Sequence, residues 1–168
     1  MSGSRRKFFS SVQYGNEVVL VNRGAVLPIR LKETSQLTHL ILKKLKLVKK
    51  SLSLVFVSNS IIKRLNQLHL DHAWVTDVLA FPFAESIGGK HSESGRSFLG
   101  EVIIASRQAQ TNARRFGVSL SEELARYIAH GILHLQGYSD HSTRAQKRMR
   151  QAENKLLKPL AAQIKKIV

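Results

Sequence analysis

The chain contains no cysteine. Disulfides and thiolate metal sites are therefore excluded, and the composition fits a reducing compartment. No apolar run approaches the roughly 20 residues that a bilayer-spanning helix needs. Arg5, Arg6 and Lys7 are followed by Phe8 and Phe9 and at once by Ser10 and Ser11, so the start of the chain lacks the apolar core of a signal peptide. Acid is scarce: 11 Asp and Glu stand against 27 Lys and Arg, a formal net charge of +16. Such an excess of cations predicts a polyanionic partner, although a solvated basic surface has the same composition. Charge alone does not separate RNA from DNA or from anionic lipid. At 168 residues with 43% hydrophobic content, the chain is long enough for one domain with a true core.

The most informative stretch is His130-Gly131-Ile132-Leu133-His134-Leu135-Gln136-Gly137-Tyr138-Ser139-Asp140-His141. On a helix, His130 and His134 lie on one face, so both imidazoles can address one ion. Gly137 tolerates the left-handed conformation that ends helices, and the returning chain brings His141 toward the same ion. Three nitrogen ligands and an open fourth position describe a catalytic zinc site, whereas a structural site is closed by a fourth protein ligand. A lone histidine on an apolar helix face is usually a core residue; two at this spacing, a glycine turn and a third are a metal-binding pattern. Gly131 stands where zinc peptidases of the H-E-x-x-H type carry their glutamate base, which argues against peptide hydrolysis.

Along the rest of the chain, residues 1–15 read as a flexible basic arm and 16–168 as a single domain. Residues 17–22 and 53–57 read as strands by their β-branched and apolar content. Leu37, Leu40, Ile41 and Leu45 give helical spacing over 33–46, followed by a cluster of Lys43, Lys44, Lys46, Lys49 and Lys50. Ser58 or Asn59 caps a short helix through Leu65, and 69–74 reads as a loop. Residues 76–82 and 98–105 are two further strands. The segment 84–97 between them, with His91, reads as an exposed loop. A helix over 106–116 ends at Gly117. Ser119-Leu120-Ser121-Glu122 is a capping box that opens the histidine helix, 120–136. Ser142 or Thr143 caps a last helix with Ala145, Met149, Ala152 and Leu156 on one face and Arg144, Lys147, Arg148, Arg150 and Lys155 on the other. Pro159 breaks or kinks it. Strands alternating with helices, then a helical C-terminal half, predict an α+β domain with one small mixed sheet.

The histidine stretch resembles the signature of the YbeY endoribonucleases, zinc-dependent rRNA maturation factors of bacteria and organelles. Thr76-Asp77-Val78-Leu79-Ala80-Phe81-Pro82 is similar to that family's T-D-V-L-S-F-P strand, and Leu99-Gly100-Glu101-Val102-Ile103-Ile104 to its L-G-D-I-x-I strand. Leu65-Asn66 matches a further Leu-Asn pair. The resemblance runs from about residue 18 to 157. It implies a zincin-like arrangement in which the metal helix packs with other helices on a small mixed four-stranded sheet. Residues 76–82 then border the cleft, where a strand edge offers backbone groups to an extended single strand of RNA.

Two departures stand out. The family spaces its histidines H-x3-H-x5-H, whereas six residues separate His134 from His141. Ser139 reads as an insertion absorbed by the turn, which keeps His141 as third ligand. Strict register makes Asp140 the alternative ligand, or else a partner that orients a ligating imidazole. His69-Leu70 also stands where the family carries Tyr-Arg, an arginine suited to phosphate binding. Arg64, His69, His72 and Lys63 are nearby replacements, and Arg144, Lys147 and Arg148 are further candidates for holding the RNA backbone.

The expected function is a zinc-dependent, single-strand-directed endoribonuclease of rRNA maturation and ribosome quality control. One Zn2+ is held by His130, His134 and His141, through which these residues serve catalysis. The expected partners are ribosomal RNA and the ribosome or its small-subunit proteins, with no membrane. The alternative is a non-catalytic rRNA- or ribosome-binding assembly factor with a structural zinc. A third reading, hydrolysis of another ester or amide, is disfavoured by Gly131 and the charge. The resemblance implies a bacterial cytoplasmic location, with an organelle as the alternative.

Overall fold

The computed structural model describes residues 7–24, 27–83 and 95–168. A five-stranded sheet runs in the order β1-β2-β3-β5-β4. Its strands are β1 (Lys7–Gln13), β2 (Asn16–Arg23), β3 (Lys50–Val57), β4 (Val78–Pro82) and β5 (Ser97–Ala105). The outer pairs β1/β2 and β4/β5 are antiparallel, and β2/β3 and β3/β5 are parallel. The helices are α1 (Leu31–Lys44), α2 (Asn59–Leu70), α3 (Ser106–Phe116), α4 (Leu120–Leu135), α5 (Thr143–Leu157) and the short α6 (Ala161–Ile164). The expected α+β class with a mixed sheet is therefore the one observed, with a further strand.

That strand, β1, lies inside the stretch expected to be a flexible arm. Tyr14 and Gly15 both take positive φ, 51° and 77°, the backbone of a two-residue hairpin turn that matches strand twist. The turn registers Gln13 on Asn16 and carries the pairing through to Lys7 and Asn22. Ser11 supplies the tertiary anchor: its hydroxyl meets Ser35 Oγ at 2.6 Å and His39 Nε2 at 3.0 Å on α1. A serine of the expected flexible arm is thus the partner of a buried serine and histidine. The expected exposed loop with His91 lies mainly over 84–94, outside the described residues.

Alternation along the strands sorts the core into two faces. Val18, Leu20, Leu52, Leu54, Phe56, Val102 and Ile104 point to one, where α1, α4, α5 and α6 cover them. Val57, Ile103 and Ala105 point to the other, with Ile62 of α2 and Leu79 of β4. Pro159 sits in a 3-10 turn between α5 and α6, where its missing N–H costs no helical bond.

The histidine helix α4 is the best specified element. Gly117 closes α3 in the left-handed conformation, φ 66°. Ser119 then caps α4: Ser119 Oγ accepts from Glu122 N at 3.2 Å, and the Glu122 carboxylate accepts from Ser119 N at 2.8 Å. Such caps contribute about 1 kcal/mol. Most of α4 is buried, and it packs on β4, β5, α3 and α5. It lies tight against β5 at Gly131, where an added Cβ overlaps the Val102 side chain. The glutamate of the peptidase motif is thus excluded by packing as well as absent from the sequence.

Gly131→Ala is expected to destabilise the fold by about 1–3 kcal/mol, as overpacking does. Val102→Ala in the same chain should recover part of that loss. Urea midpoints of the three variants check it; a neutral Gly131→Ala would mean that α4 sits further from the sheet.

Candidate metal centre

His130 and His134 project from one face of α4, with ring centroids 4.4 Å apart and planes at 84°. Their Nε2 atoms are 2.9 Å apart. Each Nδ1 has a different partner. His134 Nδ1 donates to the Tyr138 carbonyl at 2.8 Å, and since a carbonyl only accepts, this nitrogen carries the proton. His130 Nδ1 meets the Glu153 carboxylate at 2.8 Å. In the neutral state both Nε2 lone pairs then face each other. Two acceptors at that distance repel unless a cation or proton lies between them, and a carboxylate or carbonyl on the far nitrogen is the usual outer support of a metal-bound histidine.

The turn after α4 builds the third corner. Gly137, at φ 85°, closes the helix: Gly137 N donates to His134 O at 2.9 Å and Tyr138 N to Leu133 O at 3.0 Å, a Schellman motif. The same turn presents the Tyr138 carbonyl to His134. Asp140 then arrives with Oδ2 at 3.5 Å from His134 Nε2 and 3.7 Å from His130 Nε2. His130, His134 and Asp140 are the metal-capable group among the described residues. Their separations bracket the ~3.3 Å edge of a tetrahedron with bonds of ~2.0–2.1 Å, so the three donors fit one ion.

Of the two expected candidates for the third ligand, the structure groups Asp140, the alternative, with the two histidines. His141 is exposed and outside the group. Its backbone N–H donates to Ser139 Oγ at 3.3 Å, and Ser142 caps α5 immediately afterwards by accepting from Ala145 N at 3.2 Å. The extra residue is therefore not looped out; it moves the histidine one place past the corner and leaves Asp140 in strict register.

Glu153 was not anticipated from sequence. It lies on the apolar face of α5, 4% exposed, and its carboxylate is shared between His130 at 2.8 Å and Arg126 at 2.9 Å. Burial lowers the His130 pKa, but hydrogen bonding and charge from Glu153, with Asp77 and Asp140, outweigh it and hold the value above its usual one. For Glu153, burial raises the pKa and the bonds from His130 and Arg126 reverse that, holding it below the usual carboxylate range. Around these groups lies a cavity of about 530 Å³ that also takes in Asp77, Asn112, Glu123, Arg126, Tyr127 and Arg150. Glu123 is pushed up by burial, and Tyr127, bonded by Asn112 Nδ2 at 2.8 Å, is also pushed up by burial. A signal for this floor was present: 123, 127, 130 and 134 share one helix face.

The expected RNA-binding residues lie elsewhere. Arg64 is exposed on α2, and His69 lies in the last turn of that helix rather than in a loop, with its ring edge-on to Phe81 at 5.0 Å. His72 follows the left-handed Asp71 cap and stacks on Trp74. Arg144, Lys147 and Arg148 are exposed on α5, and Arg148 lines a separate small cavity with Gly137 and Tyr138. None of these six lines the cavity at His130; the arginines that do are Arg126 and Arg150.

A short polar helix face and a bound-back turn thus define the class: a hydrolase-like domain with a candidate two-histidine, one-carboxylate metal site. The family model for Endoribonuclease YbeY matches residues 25–161. The chain belongs to this family. It is 39% identical over 106 residues to the Endoribonuclease YbeY of Salinibacter ruber, covering 63% of this chain and 68% of that one. Against the Aquifex aeolicus protein of the same name it is 38% identical over 112 residues, covering 66% and 70%. The fold is similar to protein TM1509 of Thermotoga maritima, solved in solution, with a TM-score of 0.54 at 23% identity over 88% of this chain and 92% of that one.

Two outcomes are expected. Asp140→Ala should weaken divalent-cation binding by more than the ~10–100-fold typical of removing an outer hydrogen-bond partner, and His141→Ala by less, in titrations against a chromophoric chelator. Equal losses would restore His141 as a ligand. In metal-free protein, the raised His130 contributes stability below its ordinary 6.5 that is lost as pH rises through the raised value. The lowered Glu153 contributes above its ordinary 4.5, lost as pH falls through the lowered value. Glu153→Gln should flatten both limbs of the stability profile measured by urea unfolding in chelator; an unchanged profile would deny the pair its energetic role.

Proposed function

We propose that this protein is a zinc-dependent, single-strand-directed endoribonuclease acting in ribosomal RNA maturation and quality control, in the bacterial cytoplasm. The observation that carries this reading is the convergence of two Nε2 lone pairs and the Asp140 carboxylate on one point, with both Nδ1 protons already committed. One Zn2+ would be held by His130, His134 and Asp140, a donor set close to the two-histidine, one-glutamate set of catalytic zinc enzymes. When bound it supplies a water acidified to a pKa of about 7 and polarises a phosphoryl oxygen.

The chain's own residues supply the rest. Glu153 and the Tyr138 carbonyl hold the two imidazoles in one tautomer and orientation. Arg126 and Arg150 put guanidinium groups in the cleft, where they suit a phosphodiester and the charge that develops on it. Glu123, buried on the same face, has the raised pKa of a group that can hold a proton near the reaction. Net charge of +16 attracts the strand, and binding should weaken steeply with salt. Ribosomal RNA, with the ribosome or its small-subunit proteins, is the proposed partner.

A second reading is favoured by Leu70, the last residue of α2, standing where the family carries arginine. It is a non-catalytic assembly factor whose zinc is structural. Cleavage of single-stranded rRNA by zinc-loaded protein decides between them. The nuclease reading expects cleavage that is lost in His134→Ala and on chelation, and attack by the ribose 2′-hydroxyl would leave a cyclic phosphate and spare DNA. Zinc and RNA bound without cleavage, with a large gain of activity in Leu70→Arg, would select the assembly factor.

A further inference from the structure

We propose that the stacked rings of His72 and Trp74 form a nucleobase-stacking site beside the metal cleft, taking one unpaired base of a single-stranded RNA. The proposal rests on the RNA reading above and adds to it a named contact outside the metal site.

The two rings lie 4.2 Å apart at 18°. Trp74 is the one tryptophan of the chain, and it is 58% exposed. His72 covers one face of the indole, so that exposure leaves the other face to solvent. A ring so placed gains little from burial, yet its backbone is tightly held. Asn66, 1% exposed, donates Nδ2 to the Trp74 carbonyl at 3.0 Å and accepts from His72 N at 3.4 Å. Asp71, at φ 57°, stops α2 just before the pair, and Val75 packs against the second core face just after it. The rings are therefore presented on fixed backbone, which reduces the ordering that binding costs.

Position and charge name the occupant. Asp77, three residues after Trp74, lines the cavity with His130 and Asp140. At ~3.3–3.6 Å per residue the two are joined by no more than about 11 Å of chain, one or two nucleotides of an extended strand. Across 59–76 Lys63 and Arg64 are exposed on α2, and Asp71 is the single acid. A cationic surface carrying a stacked aromatic is the combination that holds single strands: backbone attraction from the charge, and sequence-tolerant stacking from the ring.

The test uses a 2′-O-methyl octaadenylate, which lacks the 2′-hydroxyl nucleophile, beside an abasic octamer with the same phosphates. The octaadenylate should quench Trp74 emission and the abasic strand should not. Trp74→Leu, whose thermal midpoint should match the parent because the ring is exposed, should bind labelled octaadenylate roughly 5- to 150-fold more weakly by anisotropy. Trp74→Phe should restore most of that loss, and abasic affinity should not change in either variant. Octaadenylate binding with no quench and no loss in Trp74→Leu would overturn the proposal, leave the RNA reading standing and return the rings to a protein contact. Failure of both strands to bind the parent at low salt would overturn both.

Discussion

The arrangement depends on a buried carboxylate held between an imidazole N–H and a guanidinium. Glu153 belongs to α5, and its partners His130 and Arg126 stand one turn apart on α4. A carboxylate withdrawn from water is costly unless it is paired and hydrogen-bonded, so removing either partner leaves an unmet charge. This one bond pair therefore does three things. It fastens the last long helix to the histidine helix, fixes which nitrogen of His130 faces the cleft, and orders Arg126 at its wall. The Schellman turn does the same for His134 from the other side, through the Tyr138 carbonyl.

How much of this was legible in the sequence depended on the range of the interaction. The capping box at Ser119, the end of α3 at Gly117 and the two histidines are local patterns, governed by residues within one or two turns, and all are present as read. Of the three inner strands, β2 and β3 declared themselves through β-branched and apolar runs. What was missed was held by distant partners. β1 reads as linker until Ser11 is seen against Ser35 and His39, more than 20 residues away. Glu153 reads as one surface charge among many on α5 until α4 is laid against it.

The third ligand shows the same limit at short range. His141 and Asp140 are neighbours, and both are competent donors. Composition favours neither. What sets Asp140 rather than His141 beside the two imidazoles is where the helix stops, with Ser139 taking the His141 amide and Ser142 starting α5 at once. A one-residue difference in a turn is enough to bring an oxygen rather than a nitrogen beside the two imidazoles, with capped helices on either side.

The distribution of acid gives the cleft a character opposite to that of the molecule. Of 11 acidic residues in the chain, Asp77, Glu123, Asp140 and Glu153 line this one cavity. A surface of such charge attracts polyanions, whereas the cleft sets these four carboxyl groups beside Arg126 and Arg150, a mixed lining that suits a small cation. A divalent ion held there would offset that acid. The acid of the chain is thus concentrated where a small cation would sit, and the excess of Lys and Arg is left to the rest of the surface.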